Sequence, residues 1–460
     1  MKWNNLSLHK IKWICSFIVV LLPFFCSISN IFQKYLAVTL WAIMMWMFEL
    51  LPEEIVAIML PGLYILFDIT NYATAFSAWT TSTPWITLGG LMIGGMIVKS
   101  GLVLRIAYKS LLLTKGSLKG IVWGIVLTCT IFTPLIPSIM AKVALLVPVV
   151  IGICKVLKVE AKSATASALM LVVFFALWSP KMAFMTASTD SILTAGILEQ
   201  YLGVKITWLV WAKDMFIPGV LWMLVSIPLI YILRPQHLNL NKEYLEIEYR
   251  KLGKITIDEK KTVTLITALL ILLIFSSWHK LPEGVLMLGI GCLGFFPGIG
   301  LLKSDDFSKI QFKVVFFLAG AVTIGAVASS IGITESVINF VQPYFEQMNS
   351  YELVMSIYIF SILANFLLNP LALIATLMIP IANLCSNLGY SATIGGYSMI
   401  MGFNQALFPY EIAPLMLVYG FGYLKLTHLI KVMVFRVVAG IIFMTVVTYP
   451  YWLYIGLLDK

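Results

Sequence analysis

The sequence predicts an all-α protein that crosses a membrane many times and is built from two related halves. Of its 460 residues, 60% are hydrophobic and 11% are charged, and apolar runs follow one another along the whole chain. Two interrupted apolar segments also recur at corresponding places. A soluble domain carries about 25% charged residues. The composition therefore excludes a soluble domain with a single anchor and predicts a polytopic membrane protein.

The first interrupted segment is residues 133–154, TPLIPSIMAKVALLVPVVIGIC. Pro134 and Pro137 interrupt its helical pattern, and the polar residues Ser138 and Lys142 follow. A proline removes a backbone donor. In lipid, a broken helix is tolerated only where protein surrounds it or where it lines a wet cavity.

The second interrupted segment is residues 365–385, NFLLNPLALIATLMIPIANLC, which resembles the first in outline. A second proline follows the break by ten residues in both, from Ser138 to Pro148 and from Pro370 to Pro380. Two such segments in corresponding halves indicate a transporter binding site near the bilayer midplane. The alternative is a pair of proline-kinked helices without a ligand.

The chain begins with a basic flank and a first helix over 14–32, which lacks a small-residue cleavage site and is predicted to be retained. Helices over 36–49 and 55–67 follow. The link between those two holds the carboxylates Glu49, Glu53 and Glu54. These carboxylates belong either to a solvated loop or to the lining of a gate.

Residues 77–107 begin with a hydroxyl-rich sequence and continue as a glycine-dense apolar run. The run from Pro84 to Val98 has about 15 residues, fewer than the roughly 20 that cross a bilayer as a helix. A re-entrant hairpin is therefore predicted, with a short tilted helix as the alternative. The following loop is basic and marks the cytoplasmic side, with Lys99, Arg105, Lys109, Lys115 and Lys119.

After the first interrupted segment, the sequence predicts a helix over 164–178 and then a polar, irregular stretch over 179–196. Asp190 in this stretch is one of few acids placed at membrane depth. Ionisable groups there are functional candidates by default, although the stretch could also be the end of a loop. A further helix is predicted over 208–233.

The hydrophilic stretch 234–261 divides the chain and is predicted to be a cytoplasmic linker with a short surface helix. The second half repeats the first: helices over 262–278 and 283–301, a hairpin over 308–333, an interrupted segment over 352–386 and an irregular stretch over 403–414. The predicted division is an N-terminal helix (1–35), a first repeat (36–233), the linker and a second repeat (262–460). An odd number of spans between the repeats would invert the second one.

Composition argues against several other functions. The net charge is +10, but the basic residues lie in short loops, which is the positive-inside pattern and not a nucleic-acid signature. Six cysteines without a CxxC pair and four dispersed histidines predict neither disulfides nor a metal site. No acidic cluster typical of a membrane-embedded transferase is present, since the paired acids Asp305–Asp306 and Glu53–Glu54 lie near ordinary loops. An enzyme is therefore the weaker alternative.

Four stretches occur in family order and resemble the divalent anion:sodium symporter family, which carries dicarboxylates, citrate and related anions: 83–107, 136–150, 184–196 with WAKDMFIPGV downstream, and 408–431. The resemblance covers nearly the whole chain after Leu36. It implies about eleven transmembrane helices, two re-entrant hairpins, an inverted repeat, a homodimer and an elevator mechanism. It also implies Na⁺ or H⁺ as the coupling ion, no other cofactor, and a bacterial-type inner membrane with its lipid as surroundings.

The chain departs from the family at the two breaks, where the family places Ser-Asn-Thr. The matching positions are Ser138-Ile139-Met140 and Pro370-Leu371-Ala372, so only Ser138 remains. Apolar groups cannot offset the desolvation of an anion. Helix N-termini and Lys142 could supply positive charge instead, and backbone carbonyls could still bind Na⁺. Alternatively, Lys142 extends to the membrane interface.

The resemblance therefore predicts a secondary active transporter of small dicarboxylates, tricarboxylates or other divalent anions, by Na⁺-coupled symport or anion exchange. A family member that has lost or changed transport is the alternative. The predicted substrate-binding residues are Ser138, Ile139, Met140, Lys142, Ser188, Thr189, Asn369, Pro370, Ile412 and Pro414. The predicted cation-binding residues are Pro134, Ser138, Thr186, Ala187, Asn365 and Pro370.

Overall fold

The computed structural model describes residues 2–48, 50–114, 117–134, 136–203, 206–238 and 242–459, and all regular secondary structure in them is helical. Seven of the described helices are long and apolar enough to cross a membrane, or eight if one bent pair forms a single span. The all-helical membrane fold is confirmed, and the number of eleven spans stays a prediction. Glu49, Lys115 and part of the linker lie outside the described residues.

The first half contains, in chain order, α1 (Lys2–Leu21), α2 (Asn30–Phe48), α3 (Glu53–Leu66), α4 (Tyr72–Ala75), α5 (Ser82–Lys99), α6 (Leu102–Leu112), α7 (Leu118–Phe132), α8 (Ile139–Val156), α9 (Ala164–Trp178), α10 (Thr189–Leu202) and α11 (Trp208–Ser226). A 3₁₀ segment extends α11 to Leu233. Between α9 and α10 the chain forms only short 3₁₀ turns. The irregular stretch predicted over 179–196 is therefore confirmed only for residues 179–188, because residues 189–196 belong to α10.

The linker and second half contain α12 (Lys242–Lys251), α13 (Ile257–Ile274), α14 (Ser276–His279), α15 (Glu283–Leu293), α16 (Ser304–Phe307), α17 (Phe312–Ile331), α18 (Ile333–Val341), α19 (Ser350–Ala364), α20 (Pro370–Asn387), α21 (Ala392–Phe403), α22 (Ala413–Gly420), α23 (Leu426–Phe443) and α24 (Tyr449–Tyr454). A π-helical turn joins α23 to α24. Helix α12 is the short helix predicted in the linker.

Two predicted helices have the wrong bounds. The helix predicted over 14–32 is two helices, because α1 ends at Leu21 and a 3₁₀ turn containing Pro23 follows. The helix predicted over 283–301 ends at Leu293. Beyond it, Gly298 and Gly300 adopt positive φ angles of 87° and 61°, which favour glycine and do not continue a helix.

The re-entrant hairpin predicted over 308–333 is wrong, because α17 is one helix of 20 residues. Over 77–107 the structure has α5, of 18 residues, which bends by 64° into α6 as either a broken span or a re-entrant loop, so the hairpin predicted there stays a prediction. Gly101 at this bend has a φ of 81°. Small residues in α5 and α17 allow close packing against α15 and α3.

The chain also reverses direction at the two interrupted segments. Thr128 of α7 and Leu146 of α8 line the same small cavity, whereas a continuous helix would hold them about 27 Å apart. Phe360 of α19 and Leu377 of α20 likewise line one cavity. At each interrupted segment the pair of helices flanking the break therefore folds back around a non-helical tip and does not continue as one kinked rod. We call these pairs the first and second hairpin.

The halves contact one another reciprocally. Helix α5 packs on α15 and α17 on α3, while α10 packs on α20 and α22 on α8. Glycines make the first two contacts close. A Cβ added to Gly89 would lie 2.3 Å from the carbonyl carbon of Met287, and one added to Gly320 would lie 2.3 Å from the carbonyl oxygen of Ala57. Close approach through small residues is typical of membrane helices.

The linker is fastened to the first half by one arginine. Arg105 of α6 donates from Nε to Glu259 at 2.6 Å and from its guanidinium nitrogens to the carbonyls of Leu252, Gly253 and Lys254. Glu259 also accepts from the backbone nitrogen of Thr256, which caps α13. The arginine therefore fixes where the second half begins relative to α6.

The packing at Gly89 gives a test. Gly89→Ala would force a methyl group into the backbone of α15, and such overpacking costs about 1–3 kcal/mol. We expect a lower thermal midpoint of the detergent-purified protein. Gly62→Ala is the matched control, since a Cβ there meets nothing within 4 Å and alanine favours a helix. Equal midpoints for the two variants would contradict the close α5–α15 contact.

Candidate functional site

The tip of the first hairpin places a lysine inside the protein. Ser138 caps α8, its hydroxyl accepting from the backbone nitrogen of Ala141 at 3.2 Å. One turn later, Lys142 is 1% exposed, and its Nζ lies 3.2 Å from the carbonyl oxygen of Ala187 and 3.4 Å from that of Thr133. Within the described part of the chain, Lys142 forms no salt bridge. The alternative that Lys142 extends to the membrane interface is wrong.

The tip is joined to the irregular stretch that follows α9. The Thr186 hydroxyl donates to the carbonyl oxygen of Pro134 at 2.8 Å and accepts from the indole of Trp208 at 3.3 Å. Ala187 is joined to the same tip through Lys142. The predicted cation-site residues of the first half therefore lie together, but the Lys142 ammonium already occupies two of the carbonyls there.

Lys181, in the stretch after α9, is a second buried cation, and a carboxylate neutralises its charge. Lys181 forms an ion pair with Asp190, and its Nζ lies 3.3 Å from the centre of the Trp178 ring. Asp190 also accepts from the backbone nitrogen of Ser191, and the Ser188 hydroxyl bonds to the hydroxyl of Ser191 at 3.0 Å. Asp190 therefore lies inside the protein and not at a loop end.

The tip of the second hairpin has a different chemistry. Asn365 is buried and donates from Nδ2 to the carbonyl oxygen of Gln405 and to Glu411, both at 3.2 Å. The other oxygen of Glu411 accepts from the backbone nitrogens of Leu407 and Phe408 at 3.1 and 2.8 Å. Oδ1 of Asn365 has no partner among the described residues. The second tip therefore presents acceptors where the first presents a cation.

Asn369 ends the second tip as Ser138 ends the first. Its Oδ1 accepts from the backbone nitrogen of Ala372 at 2.9 Å and caps α20. Its Nδ2 donates to Glu53 at 2.9 Å. The contact joins the hairpin to the beginning of α3, where Glu53 is exposed on the surface, so both alternatives for the carboxylates of this link stay open.

Arg436 of α23 is a site residue that the sequence interpretation missed. It is fully buried and donates to the Asn404 carbonyl at 2.7 Å, the Asn404 side chain at 2.5 Å, Gln405 at 3.1 Å and the Ser179 hydroxyl at 3.1 Å. These acceptors follow directly after α9 and α21. The guanidinium therefore lies where the carbonyl ends of two helices meet, a position that favours positive charge.

The predicted site residues fall into two groups. The first hairpin and the stretch after α9 hold Pro134, Ser138, Ile139, Met140, Lys142, Thr186, Ala187, Ser188 and Thr189. The second hairpin and the stretch after α21 hold Asn365, Asn369, Pro370, Ile412 and Pro414. Besides Arg436, the residues missed are Asn404, Gln405 and Glu411. The binding roles of the residues that the sequence predicted stay predictions.

The sodium:sulfate symporter transmembrane region matches residues 4–458 of this chain. The chain belongs to the sodium:sulfate symporter family. Membership agrees with the prediction of a membrane transporter rather than an enzyme, and with small anions as the general substrate class of the family.

Several transporters are similar to this symporter-family chain. The L-tartrate/succinate antiporter of Escherichia coli is 23% identical over 94% of this chain and 96% of its own length. The chloroplastic dicarboxylate transporter 1 of spinach is 26% identical, over 53% of this chain and 44% of the relative. The chain thus spans about half or less of the length of some relatives that it matches.

The fold of this symporter-family chain is also found in a solved structure. The YdaH transporter of Alcanivorax borkumensis superposes with a TM-score of 0.56 at 14% identity, over 86% of this chain and 90% of that one. At this identity the likeness concerns the fold alone, and it agrees with the all-helical architecture.

The arginine network gives a test. In Arg436→Lys the charge is kept but a single ammonium cannot reach all four acceptors, and hydrogen bonds to charged groups contribute about 1.5–3 kcal/mol each. We expect a lower thermal midpoint in detergent. Arg250→Lys, at an exposed pair on the linker helix, serves as the control and should match the parent. An unchanged midpoint for Arg436→Lys would contradict a network that depends on guanidinium geometry.

Proposed function

We propose that this protein is a secondary transporter that moves a small divalent anion, such as a dicarboxylate, across the cell membrane. Its binding site lies between the two hairpin tips and the non-helical stretches after α9 and α21. The observation that carries the proposal is the buried Lys142 ammonium, which contacts two carbonyls and, among the described residues, no carboxylate. A buried, unneutralised cation is costly and becomes favourable when an anion arrives.

Helix ends add to this positive potential. Helix α8 begins at the first tip and α20 at the second, so two helix N-termini point into the region. Their free backbone N–H groups and dipoles favour an anion. They compensate for the Asn and Thr side chains that the family has at the breaks and this chain lacks.

We propose anion exchange as the mode of transport. The carbonyl of Ala187, expected to bind Na⁺, already accepts from Lys142 at 3.2 Å. A cation fixed to the protein balances the substrate charge in the way a bound Na⁺ would. Exchange of one anion for another then needs no coupling ion.

Na⁺- or H⁺-coupled symport is the second candidate, and one observation favours it. The second tip has a carboxylate, Glu411, and an unpartnered amide oxygen on Asn365 within the described residues. Oxygen ligands of this kind suit Na⁺, and the carboxylate suits a proton. In that mode the coupling ion would bind at the second tip only.

We further propose an inverted repeat that moves as an elevator within a homodimer. The reciprocal packing of α10 on α20 and of α22 on α8 supports a two-fold relation between the halves. Each hairpin thereby contacts the helix that follows the other half's non-helical stretch. Such an assembly can move across the membrane as one unit and carry the bound anion with it.

Reconstitution into liposomes tests this function. We expect uptake of labelled succinate, citrate or sulfate when unlabelled anion is present inside, at equal rates in Na⁺ and in choline buffer. Uptake that requires an inward Na⁺ or H⁺ gradient would replace exchange by symport. No uptake above protein-free liposomes under any of these conditions would refute the proposed function for these substrates.

The lysine gives a sharper test in the same assay. Lys142→Gln keeps polar contact with the carbonyls but removes the charge, and we expect exchange to fall by about tenfold or more, since one lost charge-assisted contact contributes a few kcal/mol. Lys155→Gln, on the exposed end of the same helix, is the matched control. Equal losses in both variants would show that the position of the charge is immaterial.

A further inference from the structure

A cavity of about 410 Å³ lies beside the tip of the first hairpin. Ile136, Ser138 and Ala141 of the tip form its inner wall, and α5 forms one side. Residues between Leu302 and Gln311 form the other side. We call the exposed edge of the cavity, at Lys99 and Lys309, its mouth. The volume falls in the range of small-molecule sites, which is about 300–1,000 Å³.

The mouth of this cavity is charged. The charged side chains among its described lining residues are Lys99, Asp306 and Lys309. Lys99 forms an ion pair with Asp306, and Nζ of Lys309 lies 3.8 Å from the same carboxylate. The two lysines and the one aspartate together leave a net charge of about +1 among these three side chains. Lys99 begins the basic loop that the sequence places in the cytoplasm.

Asp306 is held ionised by its partners. The hydrogen bond from Lys99 and that from the backbone nitrogen of Lys303, at 2.8 Å, lower the pKa of its carboxyl below the usual value. Asp306 therefore stays negative at neutral pH and neutralises one of the two lysines. Its removal would leave both lysines free to attract an anion.

The corresponding cavity at the second hairpin differs. It has a volume of about 620 Å³ and is lined by Leu367, Leu368 and Leu373 of the tip region, by α17 and by α2. Its described lining residues include no charged side chain. Of these two cavities, the one at the first hairpin therefore offers an anion a charged entrance.

We propose that this cavity is the cytoplasmic entrance to the anion site, and that Lys309 and Lys99 attract the anion while Asp306 limits that attraction. The proposal rests on the proposed function, which identifies the transported substrate as a small divalent anion. It adds a route and three residues that set the on-rate. Charged clefts raise the local concentration of oppositely charged solutes.

Cysteine chemistry at Ser138 tests the entrance without relying on transport. Ser138→Cys is made in a full-length chain whose exposed Cys15, Cys26 and Cys292 are replaced by serine. In the purified protein, the modification rate of the thiol introduced at position 138 is measured with an anionic sulfonatoethyl and a cationic trimethylammonioethyl methanethiosulfonate. The ratio of the two rates reports the potential in the cavity and cancels changes in general accessibility.

We expect the anionic reagent to be favoured. Lys309→Gln should lower the rate ratio by about threefold, and Lys99→Gln by more, because it also frees the Asp306 carboxylate. Asp306→Asn should raise it by about threefold. Lys313→Gln is the control, since Lys313 is exposed nearby but does not line the cavity. Misfolding cannot produce shifts of opposite sign.

Three outcomes would contradict the proposed entrance. They are a failure of the introduced thiol to react, equal rate ratios in Lys309→Gln and Lys313→Gln, and a lower rate ratio in Asp306→Asn. Each can occur while liposomes exchange anions normally, and then only the entrance is wrong. Conversely, the predicted ratios without any uptake in liposomes would leave the entrance supported and refute the proposed substrates.

Discussion

The structure depends on one constraint: a helix that ends inside the membrane leaves backbone carbonyls that must find donors within the protein. Helix α7 ends at Phe132, and Lys142 donates to the carbonyl just beyond it. Helices α9 and α21 end close together. Arg436 donates to the Asn404 carbonyl just after α21, and the Asn404 side chain donates to the Trp178 carbonyl at the end of α9. Lys142 and Arg436 thus bind carbonyls beyond α7 and α21 and also place positive charge inside the protein. Under the proposed function, the same buried cations would both stabilise the fold and attract the anion.

Much of the fold could be predicted from the sequence, because composition reports burial in lipid and prolines report breaks. The interrupted segments, both irregular stretches and the linker helix were all found in this way. The re-entrant hairpin predicted over 308–333 was wrong, and the one predicted over 77–107 stays a prediction. Short, glycine-rich runs at α5 and α17 suggested a chain that turns back, and their glycines admit the backbones of α15 and α3. Whether two helices flanking a break continue or lie side by side is decided by packing partners distant in sequence.

The site was predicted in part for a similar reason. Lys142 and Asn365 stand at the breaks, so a local pattern reveals them. Arg436 lies about 300 residues after the first tip in the sequence, and its contacts with Asn404, Gln405 and Ser179 place it between the stretches after α9 and α21. A signal was available, since an arginine inside the apolar run 426–454 is a functional candidate by default. Glu411 was passed over as part of a loop, although its carboxylate fastens the second tip to the stretch after α21.

The central claim is that the Lys142 ammonium takes the place of a coupling cation at the first tip. Equilibrium binding tests it most directly, with labelled succinate and sulfate as probes and detergent-purified protein in scintillation proximity assays. The account predicts saturable binding of one of these anions in Na⁺-free buffer, with an affinity that added Na⁺ leaves unchanged. Binding that appears only when Na⁺ is added would contradict the account, because the first tip would then need a cation that the protein does not itself supply.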